Sequence, residues 1–248
     1  MTATLHGLFY WLLRLLAPLV WRREAKIAAK LEGFAATEAG SALDMLKAAE
    51  LAHDPKLRRL FFRHALDEAR HAQLFRAQAR AIAASAHQTL SSHNLIRATR
   101  QNLFERLGLV RFVAFVYLAE RRGELQFRAL RAHFRGRPEL ATLFEQIAKE
   151  ERFHVSYSQK LLERWRADGQ AAAVRWALFQ VRFDRAREAW LRSGRVLGDV
   201  VSQLLLGTIY LVVLPLFALI SRALDPTAIG WKRRESPTSS IDAARRQY

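Results

Sequence analysis

The sequence predicts an all-α fold built around a four-helix bundle, and three observations carry that expectation. Alanine, leucine, arginine and glutamate dominate the stretches between the prolines. Five of the six prolines sit where helices should end or inside apolar segments. Two Glu-x-x-His strings, Glu68–His71 and Glu151–His154, each follow a lone glutamate, Glu38 or Glu120, by the spacing of two facing helices in one hairpin.

A chain of 248 residues buries one sizeable core with room for extra elements at its ends. At 51% hydrophobic and 25% charged it is not a disordered chain. With no cysteine in it, disulfides, zinc ribbons, iron–sulfur clusters and thiol catalysis are excluded from this sequence. A formal charge of +17 and a pI near 11.2 call for an acidic partner. The basic residues are scattered along helices without a helix-turn-helix, finger or RNP-type signature, so nucleic acid is not the expected partner. The apolar ends of the chain favour an anionic membrane lipid surface.

In chain order, residues 1–21 form an apolar segment (Leu5 through Trp21) interrupted by His6 and Arg14. It is short for a membrane span and lacks a small-residue cleavage site, which favours an interfacial amphipathic helix, with a buried core helix as the competing reading. The expected bundle covers 22–167. Its first helix runs from about Arg22 to Leu51 and ends at His53-Asp54-Pro55; the second runs from Asp54, a candidate N-cap, to about Ala86. His87 to Asn94 is a polar connection, and 95–107 hold a short helix within a long crossover. The third helix begins near Gly108 and stops at Arg135-Gly136-Arg137-Pro138, and the fourth reaches Asp168-Gly169. A basic helix is expected over 168–196 and a transmembrane segment over 197–223. The uncharged run Val200–Ser221 is long enough, at 1.5 Å per residue, to cross a bilayer, with Pro215 kinking it; a buried bundle helix is the alternative. Residues 224–248 read as a polar tail.

The candidate site follows from hairpin arithmetic. Glu68 lies 30 residues after Glu38 and Glu151 lies 31 after Glu120. Residues at one level of an antiparallel hairpin are equidistant from its turn, and the midpoints fall at position 53 and between Arg135 and Gly136. Both midpoints coincide with turns expected on independent grounds. The hairpins repeat with a shift of 82 to 83 residues, which implies an internal duplication joined by the crossover. Phe61, His64, His71 and Phe75 lie one or two turns from Glu68, and Phe144, Ile147, His154 and Ser158 lie likewise around Glu151, so each ionisable group rides on an apolar stripe. Four buried carboxylates need cations, and oxygen-rich ligation with one imidazole per metal suits iron or manganese better than zinc. Glu124, one turn from Glu120, is an alternative or additional carboxylate. His64 faces the site but reads as a packed or hydrogen-bonded core histidine, and Tyr117 as an ordinary core tyrosine. A third string, Glu50–His53, lies about 18 Å along the helix from Glu38 and cannot join the site.

Glu38, Glu68–His71, Glu120 and Glu151–His154 resemble the ligand set of the ferritin-like di-iron carboxylate superfamily, over about residues 22 to 167. The resemblance implies a ferritin-like bundle holding two Fe ions. Glu38 and His71 would serve one metal, Glu120 and His154 the other, and Glu68 and Glu151 would bridge. Asp67-Glu68-Ala69-Arg70-His71 is similar to the corresponding string of bacterial di-iron monooxygenases and ribonucleotide reductase small subunits. That similarity implies that Asp67 holds His154 and Glu150 holds His71. The segment Leu197–Trp231 resembles small membrane proteins encoded in bacterial biosynthetic clusters.

The expected function is that of a membrane-anchored di-iron oxidoreductase, an O2-dependent oxidase or monooxygenase recharged by an external reductase or ferredoxin. Its substrate would be organic and lipid-linked, as in the similar demethoxyubiquinone hydroxylases, with the bundle on the cytoplasmic side. The alternative is a ferritin- or rubrerythrin-like protein that stores iron or scavenges peroxide. The sequence leaves the oligomeric state open.

Overall fold

The computed structural model of the chain describes residues 2–87 and 102–224, and every regular element among the described residues is a helix. These are α1 (Thr2–Val20), α2 (Glu24–Leu51), α3 (Pro55–Ser85), α4 (Leu103–Leu107), α5 (Leu109–His133), α6 (Pro138–Trp165), α7 (Ala171–Thr208) and α8 (Leu214–Leu224). The chain divides into two compact units, Met1–Arg185 and Ala186–Tyr248.

Within the first unit the helix ends are set by local chemistry. Asp54 caps α3 by accepting a hydrogen bond from the Lys56 amide at 2.8 Å, and Pro55 follows at the first helical position, where a missing N–H costs nothing. Pro138 opens α6 in the same way. Asn102 caps α4 by accepting from the Phe104 and Glu105 amides. After α6 the chain kinks within Arg166–Gln170, where Gly169 takes φ +86°, a conformation open to glycine at little cost. The expected polar connection beyond His87 and the first part of the expected 95–107 helix lie outside the described residues; α4 is the part that falls within them.

Helix α2 packs against α3, and α5 packs against α6. Two apolar clusters show that each pair runs antiparallel. One gathers Leu31 and Ala35 of α2, Phe75 and Ile82 of α3, Phe127 and Leu130 of α5, and Phe144 and Ile147 of α6. The other gathers Met45 and Ala48 of α2, Phe61 and Ala65 of α3, Phe112 and Val113 of α5, and Tyr157 and Leu162 of α6. The turn-proximal end of α2 therefore meets the turn-proximal end of α3, and the remote ends meet each other. All four helices contribute to both clusters, and Glu38, Glu68, His71, Glu120, Glu151 and His154 lie between them along the helices.

Helix α1 packs on α5 and delivers Ala17, and Trp21 just beyond it, into the first cluster. Trp21 lies against Phe34, Phe134 and Phe144 with ring centroids 5.6 to 6.4 Å apart. The rest of α1 exposes Trp11, Leu15 and Leu19. The first turns of α7 seal the second cluster with Val174, Ala177, Leu178 and Val181.

One difference from the sequence expectation concerns the basic helix and the apolar segment, which were expected as separate elements. Helix α7 runs unbroken from Ala171 to Thr208. Gly194 and Gly198 lower helix propensity by about 1 kcal/mol each but neither adopts positive φ, so neither breaks the helix as Gly169 does. In the second unit a π-type turn at Ile209–Val213 precedes Pro215. The ring of Pro215 crowds the carbonyl four residues back and offers it no N–H, and a widened turn accommodates both defects. Leu204, Leu205, Tyr210, Leu211 and Phe217 are all exposed, so this helix is apolar all round. It ends at Leu224 and is long and apolar enough to cross a membrane.

Candidate metal centre

The ionisable layer is built from one side of each long helix. On α3, His64, Glu68 and His71 recur at spacings of four and three, which align them on one face. On α6, Glu151 and His154 share a face at a spacing of three. Glu120 of α5 and Glu38 of α2 complete the set. His64, Glu68, His71, Glu151 and His154 are buried, Glu120 is 9% exposed, and Glu38 is half-buried.

Two groups of side chains bring donor atoms within 4.8 Å of one another: His64, Glu68, Glu120 and His154, and Glu68, His71 and Glu151. Glu68 belongs to both. Its Oε1 lies 2.8 Å from His64 Nε2 and 3.6 Å from His154 Nδ1, while its Oε2 lies 3.9 Å from His71 Nδ1. Glu151 faces both hairpins too, with Oε1 3.3 Å from His71 Nδ1 and Oε2 3.3 Å from His154 Nδ1. Glu38 adjoins Glu68 across the α2–α3 pair, and Glu120 adjoins Glu151 across the α5–α6 pair.

Outside this ring sits a second layer. His71 Nε2 lies 2.6 Å from Glu150 Oε2, and His154 Nε2 lies 3.3 Å from Asp67 Oδ2. Each acid thus meets the histidine of the opposite hairpin. Arg70, which the sequence reading left without a role, reaches Asp67 at 2.8 Å and Glu150 at 2.9 Å and joins the two acids.

The electrostatics are those of a cage filled with protons. Burial pushes the Glu38 carboxyl up to about 7, against the adjacent Glu68 carboxyl, which favours its ionised form. Burial, with neighbouring carboxylates, also raises Glu68 and Glu120 well above the usual range. Burial opposes the charge on Glu151 as well, but the Glu120, His154 and His71 side chains beside it outweigh it and hold this carboxyl well below the usual range. Burial works against charged His71 and His154, and their carboxylate partners overcome it, so both are raised. His64, buried beside His154, is lowered well below the usual imidazole range.

No family model, curated protein or solved structure matches this chain. Its chemistry is therefore argued from the cluster itself. The donor set fits a metal: Glu68 Oε2 and His71 Nδ1 are buried without a hydrogen-bond partner, and both are aimed into the cluster. Four carboxylates converging with imidazoles on one buried spot match no ordinary structural need, because each would have to hold a proton or face its neighbours' charge. A cation bound there would replace those protons.

Not every sequence candidate joins the cluster. Glu124 is turned to Arg152 Nε at 3.2 Å and Arg128 Nη1 at 3.8 Å, so the additional-carboxylate reading gives way to surface ion pairs. Glu50 pairs with Lys47 on the surface. Tyr117 accepts a hydrogen bond from Arg121 at 2.8 Å. His64, expected as a core histidine, lies inside the cluster. Its spacing of four from Glu68 was the available signal, and it could not be told from core packing in one dimension.

Proposed function

We propose that this chain is a membrane-anchored di-iron oxidoreductase on a ferritin-like four-helix bundle, using O2 to oxidise an organic, lipid-linked substrate. The observation that carries the reading is the convergence of paired carboxylates and imidazoles from four helices into one buried layer between two apolar clusters.

Glu38 and His71 would hold one iron, Glu120 and His154 the other, with Glu68 and Glu151 shared between them. Two ferrous ions held by these residues would supply the redox chemistry by which dioxygen oxidises the substrate. The chain's own residues prepare the site. Glu150 and Asp67 accept the outer N–H of His71 and His154, which turns each inner nitrogen lone pair inward. The apolar clusters above and below limit water. For a hydroxylation, the substrate C–H, O2, two electrons and two protons give C–OH and water. The electrons come from an external reductase or ferredoxin, since this sequence has no cysteine for an iron–sulfur centre. The long apolar helix would anchor the chain in an anionic bilayer, which suits a lipid-linked substrate.

Anaerobic titration of the full chain in detergent with Fe(II) tests this reading. Two ions per chain are expected, and Glu68→Ala or Glu151→Ala should remove most of both. Admitting O2 should then give an oxidation that stops after one equivalent unless a reductase system is supplied. A single tightly held zinc, or two ions retained in both variants, would defeat the assignment. Continued oxidation of added Fe(II), with many ions mineralised per chain, would place the protein among iron stores.

A further inference from the structure

The cluster contains three imidazoles, and they obey one rule. Each directs one ring nitrogen into the cluster and the other to an oxygen outside it. His71 turns Nδ1 inward, 3.3 Å from Glu151 Oε1, and Nε2 outward, 2.6 Å from Glu150. His154 turns Nδ1 inward, 3.3 Å from Glu151 Oε2, and Nε2 outward, 3.3 Å from Asp67. His64 has the same relation with its nitrogens exchanged. Nε2 points inward, 2.8 Å from Glu68 Oε1 and 3.6 Å from Glu120 Oε1, and Nδ1 meets the Tyr157 hydroxyl at 2.6 Å.

We propose that His64 is a third imidazole ligand, held by Tyr157, so that the two metal positions are chemically unequal. This rests on the dinuclear reading above. The position framed by Glu68 and Glu120 would take two imidazoles, His64 and His154, while the position near Glu38 takes His71 alone.

Two features separate a ligand from a packed histidine. The His64 and His154 rings stack with centroids 3.6 Å apart and planes 20° apart, and both direct an inner nitrogen at the same Glu68 oxygen. One carboxylate oxygen does not need two parallel imidazoles, whereas a cation beside it takes a lone pair from each. The second feature is Tyr157, buried in the second apolar cluster with its hydroxyl 2.6 Å from His64 Nδ1. If the Nδ1–H of His64 donates to the Tyr157 oxygen, the lone pair is left on Nε2, facing the carboxylates. Tyr157 then performs for His64 what Glu150 and Asp67 perform for the other two. Because tyrosine is a weaker acceptor than a carboxylate, His64 stays the least basic donor of the three.

Proton NMR of the full chain in detergent, loaded anaerobically with Co(II) or Fe(II), counts the ligands directly. Each metal-bound histidine retains one exchangeable N–H, which the paramagnetic ion shifts far from the protein envelope. With two ions bound, three such resonances are expected in the wild type and two in His64→Gln. The variant should also bind one ion about 10-fold or more weakly while keeping the other. Tyr157→Phe should retain the third resonance but speed its exchange with solvent, since the N–H loses its acceptor. Two resonances in a wild type carrying two ions would overturn the third-ligand assignment and leave the dinuclear reading standing. A wild type that binds fewer than two ions would overturn the dinuclear reading, and this inference with it.

Discussion

Arg70 is the residue through which the two halves of the site meet. Its guanidinium joins Asp67 and Glu150, and those acids hold His154 and His71. Removing it frees both acids to rotate to solvent, since both are only partly covered. Asp67→Ala is expected to weaken ferrous binding by roughly 10–100-fold with the helical circular dichroism unchanged. Arg70→Ala should weaken both ions by a smaller factor, about 10-fold, whereas Glu124→Ala should leave titration curves superimposable on the wild type. Equal titration curves for Asp67→Ala and wild type would remove the orienting role. Asp67 and Glu150 were legible as residues adjoining the two Glu-x-x-His glutamates. Arg70 was not, because its two partners come from different hairpins and its importance exists only after they pack.

The same residues set a pH dependence. Glu38 titrates near 7 in the folded chain, against 4.5 for an unperturbed glutamate. The folded state keeps a proton that the unfolded state gives up, so this stabilisation is full below about 4.5 and is lost as pH rises to about 7. Glu68 and Glu120 act in the same direction, and raised His71 and His154 lose their contributions above 6.5. Lowered His64 runs the other way, costing stability below 6.5, and Glu151 loses its contribution only in acid, below 4.5. Three raised carboxyls outweigh one depressed imidazole between these limits. Metal-free protein should therefore unfold at a higher temperature at pH 5 than at pH 7.5, and Fe(II) or Co(II) should reverse that order by taking the protons' place. Circular-dichroism melts at the two pH values check it; a metal-free chain that is more stable at pH 7.5 would contradict the proton-filled cage.

At the scale of elements, the turns deserve the credit for the register. The chain between α2 and α3 is three residues, Ala52 to Asp54, and the Asp54 cap fixes where α3 begins. Starting α3 elsewhere would move Glu68 off the level of Glu38, because each residue rotates the helix by about 100° and advances it 1.5 Å. Asp54→Ala should cost about 1 kcal/mol of stability in chemical denaturation, with Asp54→Asn close to wild type. A loss well under half that size would show that Pro55 and packing set the helix start without the cap. The boundaries of α2, α3, α5 and α6 were readable to within a few residues because proline, glycine and capping residues act locally. The continuity of α7 was not, since it depends on the absence of a break and no single residue announces that.

At the scale of the whole chain, the two units divide the physical tasks. Met1–Arg185 contains both apolar clusters and the ionisable layer, while Ala186–Tyr248 contains the run that is apolar on every side. Apolar surface of that extent is costly to leave in water, and the helix that carries it is long and apolar enough to cross a membrane. Full-length protein is expected in the membrane fraction, released by detergent and not by salt. Truncation after Arg195 should yield a chain that is soluble or extractable by salt, held only through α1 and basic residues. Full-length chain that stays soluble without detergent would mean that protein, not lipid, covers the apolar helix.

The sequence by itself determined the all-helical class, the two hairpins and the level at which Glu38, Glu68, Glu120 and Glu151 lie, because helix propensity, turn chemistry and 3.6-residue periodicity are properties of short stretches. Tertiary structure decided which neighbours those residues acquired. Glu124 sits one turn from Glu120 yet went to Arg152 and Arg128, and His64 sits one turn from Glu68 and went into the cluster. Along one helix the two choices look alike. They diverge only when the helix is rotated against its partners, and that rotation is set by how Phe75, Phe127 and Phe144 pack at one end and Phe61 and Phe112 at the other.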